Sequence, residues 1–218
     1  MTGAASGIGA AIAAALRARG VRVVGLDLAP VTECDEELTC DVSDAGAMRS
    51  AISSAGEIDI AVTAAGYYET TDLTEPDAEA WHRMLSVHLG GTVNVLDAVL
   101  PGMYERGSGA ICTVASELAL IGDATAPHYA AAKGAITALT KSVAAEAAPR
   151  GVRVNCLAPG PCDTPLLPPE HRTSAAVAAL PLGRLLLPAE VAATAVWLVL
   201  EDTNVVGQVV SPNAGAVL

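Results

Sequence analysis

Tyr129 and Lys133 stand four residues apart in YAAAK, a spacing that puts the phenol and the ammonium on one face of a helix. An ammonium beside a phenol favours the phenolate, drawing a tyrosine pKa down from about 10 toward the range where it exchanges protons at neutral pH. Ser116 lies 13 positions before Tyr129, at the end of the run GAICTVAS, where its hydroxyl can stand beside the phenol at the carboxyl edge of a sheet. The three side chains suit acid–base chemistry on a small molecule.

A second set suits a phosphate. Gly3, Gly7 and Gly9 in TGAASGIG precede the helical run IGAAIAAALRARG. Lacking side chains, they let a backbone turn sharply and approach a pyrophosphate at the positive end of a helix. Asp27 closes the next β-branched run, 18 positions after Gly9, where a carboxylate can accept both ribose hydroxyls of NAD. No Arg or Lys follows Asp27 closely, and Ser6 stands in the turn in place of a basic residue, so an added ribose phosphate would meet uncompensated negative charge. NAD is expected in preference to NADP.

These groups need elements to hold them. Residues 21–27, 37–42, 58–66, 109–116, 152–160 and 207–212 read as strands, and 7–19, 45–55, 77–105, 127–149 and 188–201 as helices. The alternation, with strands apolar on both faces, predicts a parallel sheet covered by helices on both sides. One domain over 1–218 is expected. Only 161–184 resembles an insertion, because its prolines break periodicity; it predicts a loop and short helix outside the carboxyl ends of the strands, where open α/β sheets bind ligands.

Composition narrows the function. Twelve basic against 24 acidic residues give a net charge of −12, which repels a nucleic-acid backbone. The longest apolar stretches, such as VAATAVWLVL, fall short of the ~20 residues of a membrane span. No basic stretch followed by an apolar core opens the chain, so no secretory signal is read and the cytoplasm is the expected compartment. Five cysteines without CxxC or CxxH spacing suggest reduced, buried thiols, with neither a metal site nor a disulfide framework.

TGAASGIG, Asp27, CDV (40–42), AAG (64–66), Ser116, YAAAK and NCLAPGPCDTP (155–165), taken in order, resemble the short-chain dehydrogenase/reductase family over nearly the whole chain. PLGRLLLPAEVA (181–192) and GQVVSPNAG (207–215) are similar to the family's C-terminal pattern. The resemblance implies a Rossmann-like, doubly wound parallel sheet in three αβα layers. In that strand order a central strand leads into the glycine turn; only Met1 stands before Thr2, so this strand is expected to be missing from the chain. It also implies an NAD(P)-dependent interconversion of a secondary alcohol and a ketone. Tyr129 would be the general acid/base, Lys133 would lower its pKa and hold the nicotinamide ribose, and Ser116 would polarise the carbonyl. Gly3, Ser6, Gly7, Ile8 and Gly9 would form the cofactor turn. Asp41 and Val42 would border the adenine, Ala65 and Gly66 the cofactor, and Pro159 to Thr164, with Gly160 and Cys162, would cover the nicotinamide.

The chain departs from the family at three places. Thr63 to Gly66 replace a usual NNAG, removing amides that brace neighbouring strands, and a threonine hydroxyl can replace part of that bracing. His88 stands where the family commonly has a catalytic asparagine; it is expected either to join a proton relay with a titration near 6.5 or to be a buried, hydrogen-bonded histidine. Asn213 and Ala214 replace a usual Asp-Gly.

Tyr67, Tyr68, Glu117, Leu118, Leu120, Ile121, His128 and the 161–184 segment are candidate pocket walls, with His171 and Arg172 able to meet an anion. TVAS, AAG and VHLGG resemble the dihydro-dihydroxybenzoate dehydrogenases of siderophore pathways, which points to a cyclic hydroxy acid or a dihydrodiol. Small residues on several sides of the helix beginning YAAAK suggest a homodimer or homotetramer built through helices 77–105 and 127–149. A catalytically impaired NAD-binding or scaffold protein is the alternative.

Overall fold

The computed structural model describes residues 1–74, 76–201 and 203–217. Among the described residues six parallel strands run in chain order as β1 (Val24–Asp27), β2 (Glu36–Thr39), β3 (Ile60–Thr63), β4 (Gly109–Val114), β5 (Val152–Leu157) and β6 (Val209–Val210). β1 pairs with β2, and β3 to β6 pair in sequence order. The space between β1 and β3 is spanned by Met1 to Gly3. Gly3 N–H donates to the Leu26 carbonyl (2.9 Å) and Thr2 N–H to the Val62 carbonyl (3.0 Å), so three residues join the two parts of the sheet. On the Met1 side, β1 and β3 flank an apolar groove of about 400 Å³ that includes Leu16, Val24, Val62, Val95 and Val99.

The helices are α1 (Gly7–Ala18), α2 (Ala45–Ala55), α3 (Ala78–Leu85), α4 (Gly91–Arg106), α5 (Leu118–Ile121), α6 (Pro127–Ala147), α7 (Ser174–Ala178) and α8 (Pro188–Leu200). Alternation along the strands sorts side chains to two faces. Val62, Cys112, Val114 and Leu157 pack with Ile12 and Leu16 of α1 and Val191 and Leu198 of α8. Ala61, Ile111, Val152 and Val154 pack with Met48 of α2, Val95, Val99 and Met103 of α4 and Ala144 of α6. The result is three αβα layers.

Local chemistry fixes the ends. Asp44 caps α2 by accepting from Gly46 and Ala47 N–H, Gly107 closes α4 in the left-handed region, and Pro127 and Pro188 open α6 and α8.

The sequence periodicity extends most elements beyond their observed ends: the strand expected over 58–66 is hydrogen-bonded only at 60–63, and that over 207–212 only at 209–210. The single helix expected over 77–105 is divided by one π turn, Ser86–Gly90. Two contacts adjoin it. Gly91 lies against Val42, where an added Cβ would come within 2.7 Å of Val42 Cγ2, and the Thr92 hydroxyl donates back to the His88 carbonyl (2.8 Å). The 29 residues Ala78–Arg106 are long and apolar enough to cross a bilayer, but Val95, Leu96, Val99 and Met103 are spent on the sheet.

Candidate active site

The carboxyl ends of the strands open into one cavity of about 1090 Å³. The ladder continues past β4 and β5: Ala115 N–H donates to the Leu157 carbonyl (2.7 Å) and Glu117 N–H to the Pro159 carbonyl (2.9 Å). This extension carries Ser116 to the cavity wall. α6 begins opposite and presents Tyr129 and Lys133 from one face, 7% and 5% exposed. The π turn presents His88, 2% exposed.

Tyr129 is ringed by aromatic edges. Tyr68 meets it at 5.1 Å between centroids and His88 at 5.4 Å, both edge to face. Lys133 Nζ lies 5.6 Å from the Tyr129 centroid and donates to the Val114 carbonyl at 2.9 Å. Burial pushes the phenol up to about 12, against the pull of the neighbouring Ser116 hydroxyl and with reinforcement from Tyr68, Asp123 and Glu117. Burial also lowers the Lys133 ammonium to about 8. The direction for the phenol is thus opposite to the lowering expected from the Lys133 spacing: burial sets it, and the ammonium's hydrogen bond goes to the backbone.

His88 Nε2 lies 3.2 Å from Tyr67 N and 2.9 Å from Tyr67 O, while Nδ1 is buried with no partner among the described residues. Burial, then the nearby Lys133 charge, holds its pKa well below 6.5. Of the two expectations for His88, a neutral buried imidazole fits, and a titration near 6.5 does not.

The other end of the cavity is the glycine turn. Gly3 adopts φ +69°, and a Cβ there would strike the Ala64 backbone at 2.5 Å. A Cβ on Gly9 would lie 1.8 Å from the Gly3 carbonyl oxygen, so only hydrogen fits. Ser6 makes no side-chain cap, leaving the first-turn N–H groups of α1 facing the cavity that a pyrophosphate could enter. Ile8 lines the same turn, and Thr164 closes over it, 3.3 Å from the Cβ position of Gly7. Asp27 accepts from Ala5 N–H (3.0 Å) and Ala29 N–H (3.1 Å), fixing its carboxylate beside the turn. Asp41, held by Ser43, and Val42, whose carbonyl accepts from Asn94, form the neighbouring wall. Ala65, Gly66, Pro159, Gly160 and Cys162 line the cavity between the two ends. These residues leave room for a dinucleotide with its phosphates at α1 and its reactive end beside Tyr129.

Of the expected walls, Tyr67, Tyr68, Glu117, Leu118 and His171 line the cavity. Leu120 and Ile121 instead point outward, 50% and 59% exposed. His128 is shut beneath Trp81, accepting the Tyr129 N–H on Nδ1 (2.9 Å). Arg172 is bound to Asp163 and the Thr164 carbonyl, which braces the loop over the turn. The loop carries a 3₁₀ turn, Pro169–Arg172, and α7.

Sequence reasoning passed over Arg83 and Asp123, which also line the cavity. Asp123 accepts from Tyr68 OH (2.8 Å) and from Thr125, and its place ahead of Ala-Thr in GDAT was the available turn signal. Arg83 grips Glu69 through two contacts of 3.0 and 3.1 Å. No sequence pattern pointed to it.

Comparison with known proteins agrees with this geometry. The family described as "Enoyl-(Acyl carrier protein) reductase" matches residues 3–216. A cis-4-hydroxycyclohexanecarboxylate dehydrogenase of Sinomonas cyclohexanicum is 37% identical, over 99% of this chain and 94% of its own length. A D-threitol dehydrogenase of Mycolicibacterium smegmatis is 36% identical, over 91% of this chain and 84% of its own. A solved 3-oxoacyl-[acyl-carrier protein] reductase with bound NAD from Brucella melitensis superposes with a TM-score of 0.89 at 36% identity, covering 98% of this chain and 88% of its own. The chain belongs to the short-chain dehydrogenase/reductase family and is an NAD(P)-dependent oxidoreductase acting on CH–OH groups.

Proposed function

We propose that the chain interconverts a secondary alcohol and its ketone with NAD in preference to NADP, using Tyr129 as acid and base. One observation carries the reading: buried Ser116, Tyr129 and Lys133 share the cavity that ends at the glycine turn. The nicotinamide cofactor, when bound, supplies the hydride acceptor or donor. Tyr129 takes the alcohol proton in oxidation and returns it in reduction. Ser116, alongside the phenol, holds the carbonyl oxygen. Lys133 anchors the nicotinamide ribose, and His88 keeps the Tyr67 backbone and the Tyr129 ring in place.

Charge favours NAD. Arg83 and Lys133 are the only Lys or Arg among the described lining residues, and both lie at the catalytic end. The adenosine end carries Asp27 and Asp41 with no basic partner. An added ribose phosphate would meet two carboxylates. The hydroxycyclohexanecarboxylate and threitol relatives favour an alcohol on a small framework bearing further polar groups. The same relatives, both named dehydrogenases, weigh against a scaffold without turnover. A homodimer or homotetramer through α4 and α6 fits the exposed Val93 on α4 and the small residues along α6.

A panel of cyclic and acyclic secondary alcohols, tested side by side with NAD and NADP by cofactor absorbance, tests the reading. It requires turnover that is faster with NAD and lost in Tyr129→Phe. Failure of every alcohol with both cofactors would refute it.

A further inference from the structure

Glu117 is an acid without a partner. It is 6% exposed, and its Oε2 is buried with no hydrogen bond among the described residues. Its N–H is fixed to the Pro159 carbonyl, which keeps the residue beside Ser116 on the cavity wall. Gly160 makes room for the carboxyl group: a Cβ there would lie 2.8 Å from Glu117 Oε2. A buried carboxyl group with unmet acceptors costs free energy that a ligand donor can recover.

We infer that Glu117 is a specificity-determining residue that hydrogen-bonds a second hydroxyl of the substrate, making neutral vicinal diols and polyols the preferred alcohols. The inference rests on the alcohol dehydrogenase reading above. The other carboxylate and the arginine at this end are engaged, Asp123 by Tyr68 and Thr125 and Arg83 by Glu69, and Lys133 is assigned to the cofactor; of the buried lining atoms without a partner among the described residues, Tyr67 OH, His88 Nδ1 and Glu117 Oε2, only the last belongs to a carboxyl group. Glu117 retains the accepting capacity. Desolvation raises its carboxyl group to about 7, and a hydroxyl suits both forms, donating to the carboxylate and accepting from the acid. A substrate carboxylate placed there would meet like charge once Glu117 ionises. This separates the two substrate types suggested by the sequence, in favour of the diol over the hydroxy acid.

The test compares kcat/KM for a vicinal cyclohexanediol, cyclohexanol and a hydroxycyclohexanecarboxylate in wild type, Glu117→Gln and Glu117→Leu, with NADH affinity measured by fluorescence. The wild type is expected to prefer the diol over both others. The diol-to-cyclohexanol ratio should fall by about tenfold to a hundredfold in Glu117→Leu, the span of one charge-assisted hydrogen bond, and by less in Glu117→Gln, which still accepts. The hydroxy acid should gain relative to the diol in both variants. Glu117→Gln, being isosteric, carries the test if Glu117→Leu fails to fold. Unchanged ratios, a wild type that prefers the hydroxy acid, or a loss explained by weaker NADH binding would overturn the inference while leaving the dehydrogenase reading intact. Absence of turnover with all three in the wild type while other alcohols of the panel react would overturn the inference alone; failure of the whole panel would overturn both.

Discussion

His88 meets the Tyr129 ring edge to face, with centroids 5.4 Å apart and planes at 85°. Among the described residues its Nε2 reaches only the Tyr67 backbone, and burial together with the Lys133 charge holds its pKa well below the ordinary 6.5. A neutral imidazole in this place is expected to position its neighbours without titrating during turnover.

The rate of His88→Asn should therefore follow the same pH profile as the wild type through the neutral range. His88→Ala should lower kcat/KM by about tenfold, as expected for losing one buried hydrogen bond and the packing on Tyr129. Steady-state rates across pH check both statements. An ionisation near 6.5 that is present in the wild type and abolished in His88→Asn would contradict them.

Lys133 links the site to stability. Burial lowers its pKa from 10.5 to about 8, so between these values the folded chain binds fewer protons than the unfolded chain. Stability must rise as pH climbs through that window and be lowest below it, where the buried amine is charged. Lys133→Met should be more stable than the wild type at neutral pH by on the order of 3 kcal/mol, less the lost bond to the Val114 carbonyl. The gain should shrink between pH of about 8 and 10.5. Urea denaturation at several pH values measures it. A variant no more stable than wild type at neutral pH, with a difference independent of pH, would refute the linkage.

Asp27 is the proposed determinant of cofactor choice. Its carboxylate faces the adenosine end and is oriented by Ala5 and Ala29 N–H, with no cation beside it among the lining residues. Asp27→Ala should weaken NAD binding by about tenfold or more, through loss of a charged acceptor, and raise the NADP-to-NAD ratio of kcat/KM. Cofactor titrations with each nucleotide check this. An unchanged ratio would remove Asp27 from the explanation.

The alternating apolar runs and the glycine turn made the layers readable from the sequence, because strand and helix periods differ and α1 needs hydrogen at Gly9. Ser116, Tyr129 and Lys133 were readable for a related reason: helix geometry fixes Tyr129 against Lys133, and the end of β4 fixes Ser116. What stayed hidden depends on contacts distant in the chain. Gly91, directly after the π turn at Ser86–Gly90, packs on Val42, His128 lies beneath Trp81, and the Glu117 carboxyl lies against Gly160. The high pKa of Tyr129 belongs to this class too. Spacing reports that an ammonium is near, whereas only the fold reports how much water is excluded.

The central claim is that Tyr129 moves the alcohol proton. It is tested most directly by single-turnover NADH formation from saturating NAD and a secondary alcohol that the wild type oxidises, in wild type and Tyr129→Phe. The expected result is a loss of about a hundredfold to ten-thousandfold in the rate, with NAD affinity and melting temperature retained. A Tyr129→Phe enzyme that forms NADH at the wild-type rate would contradict the claim.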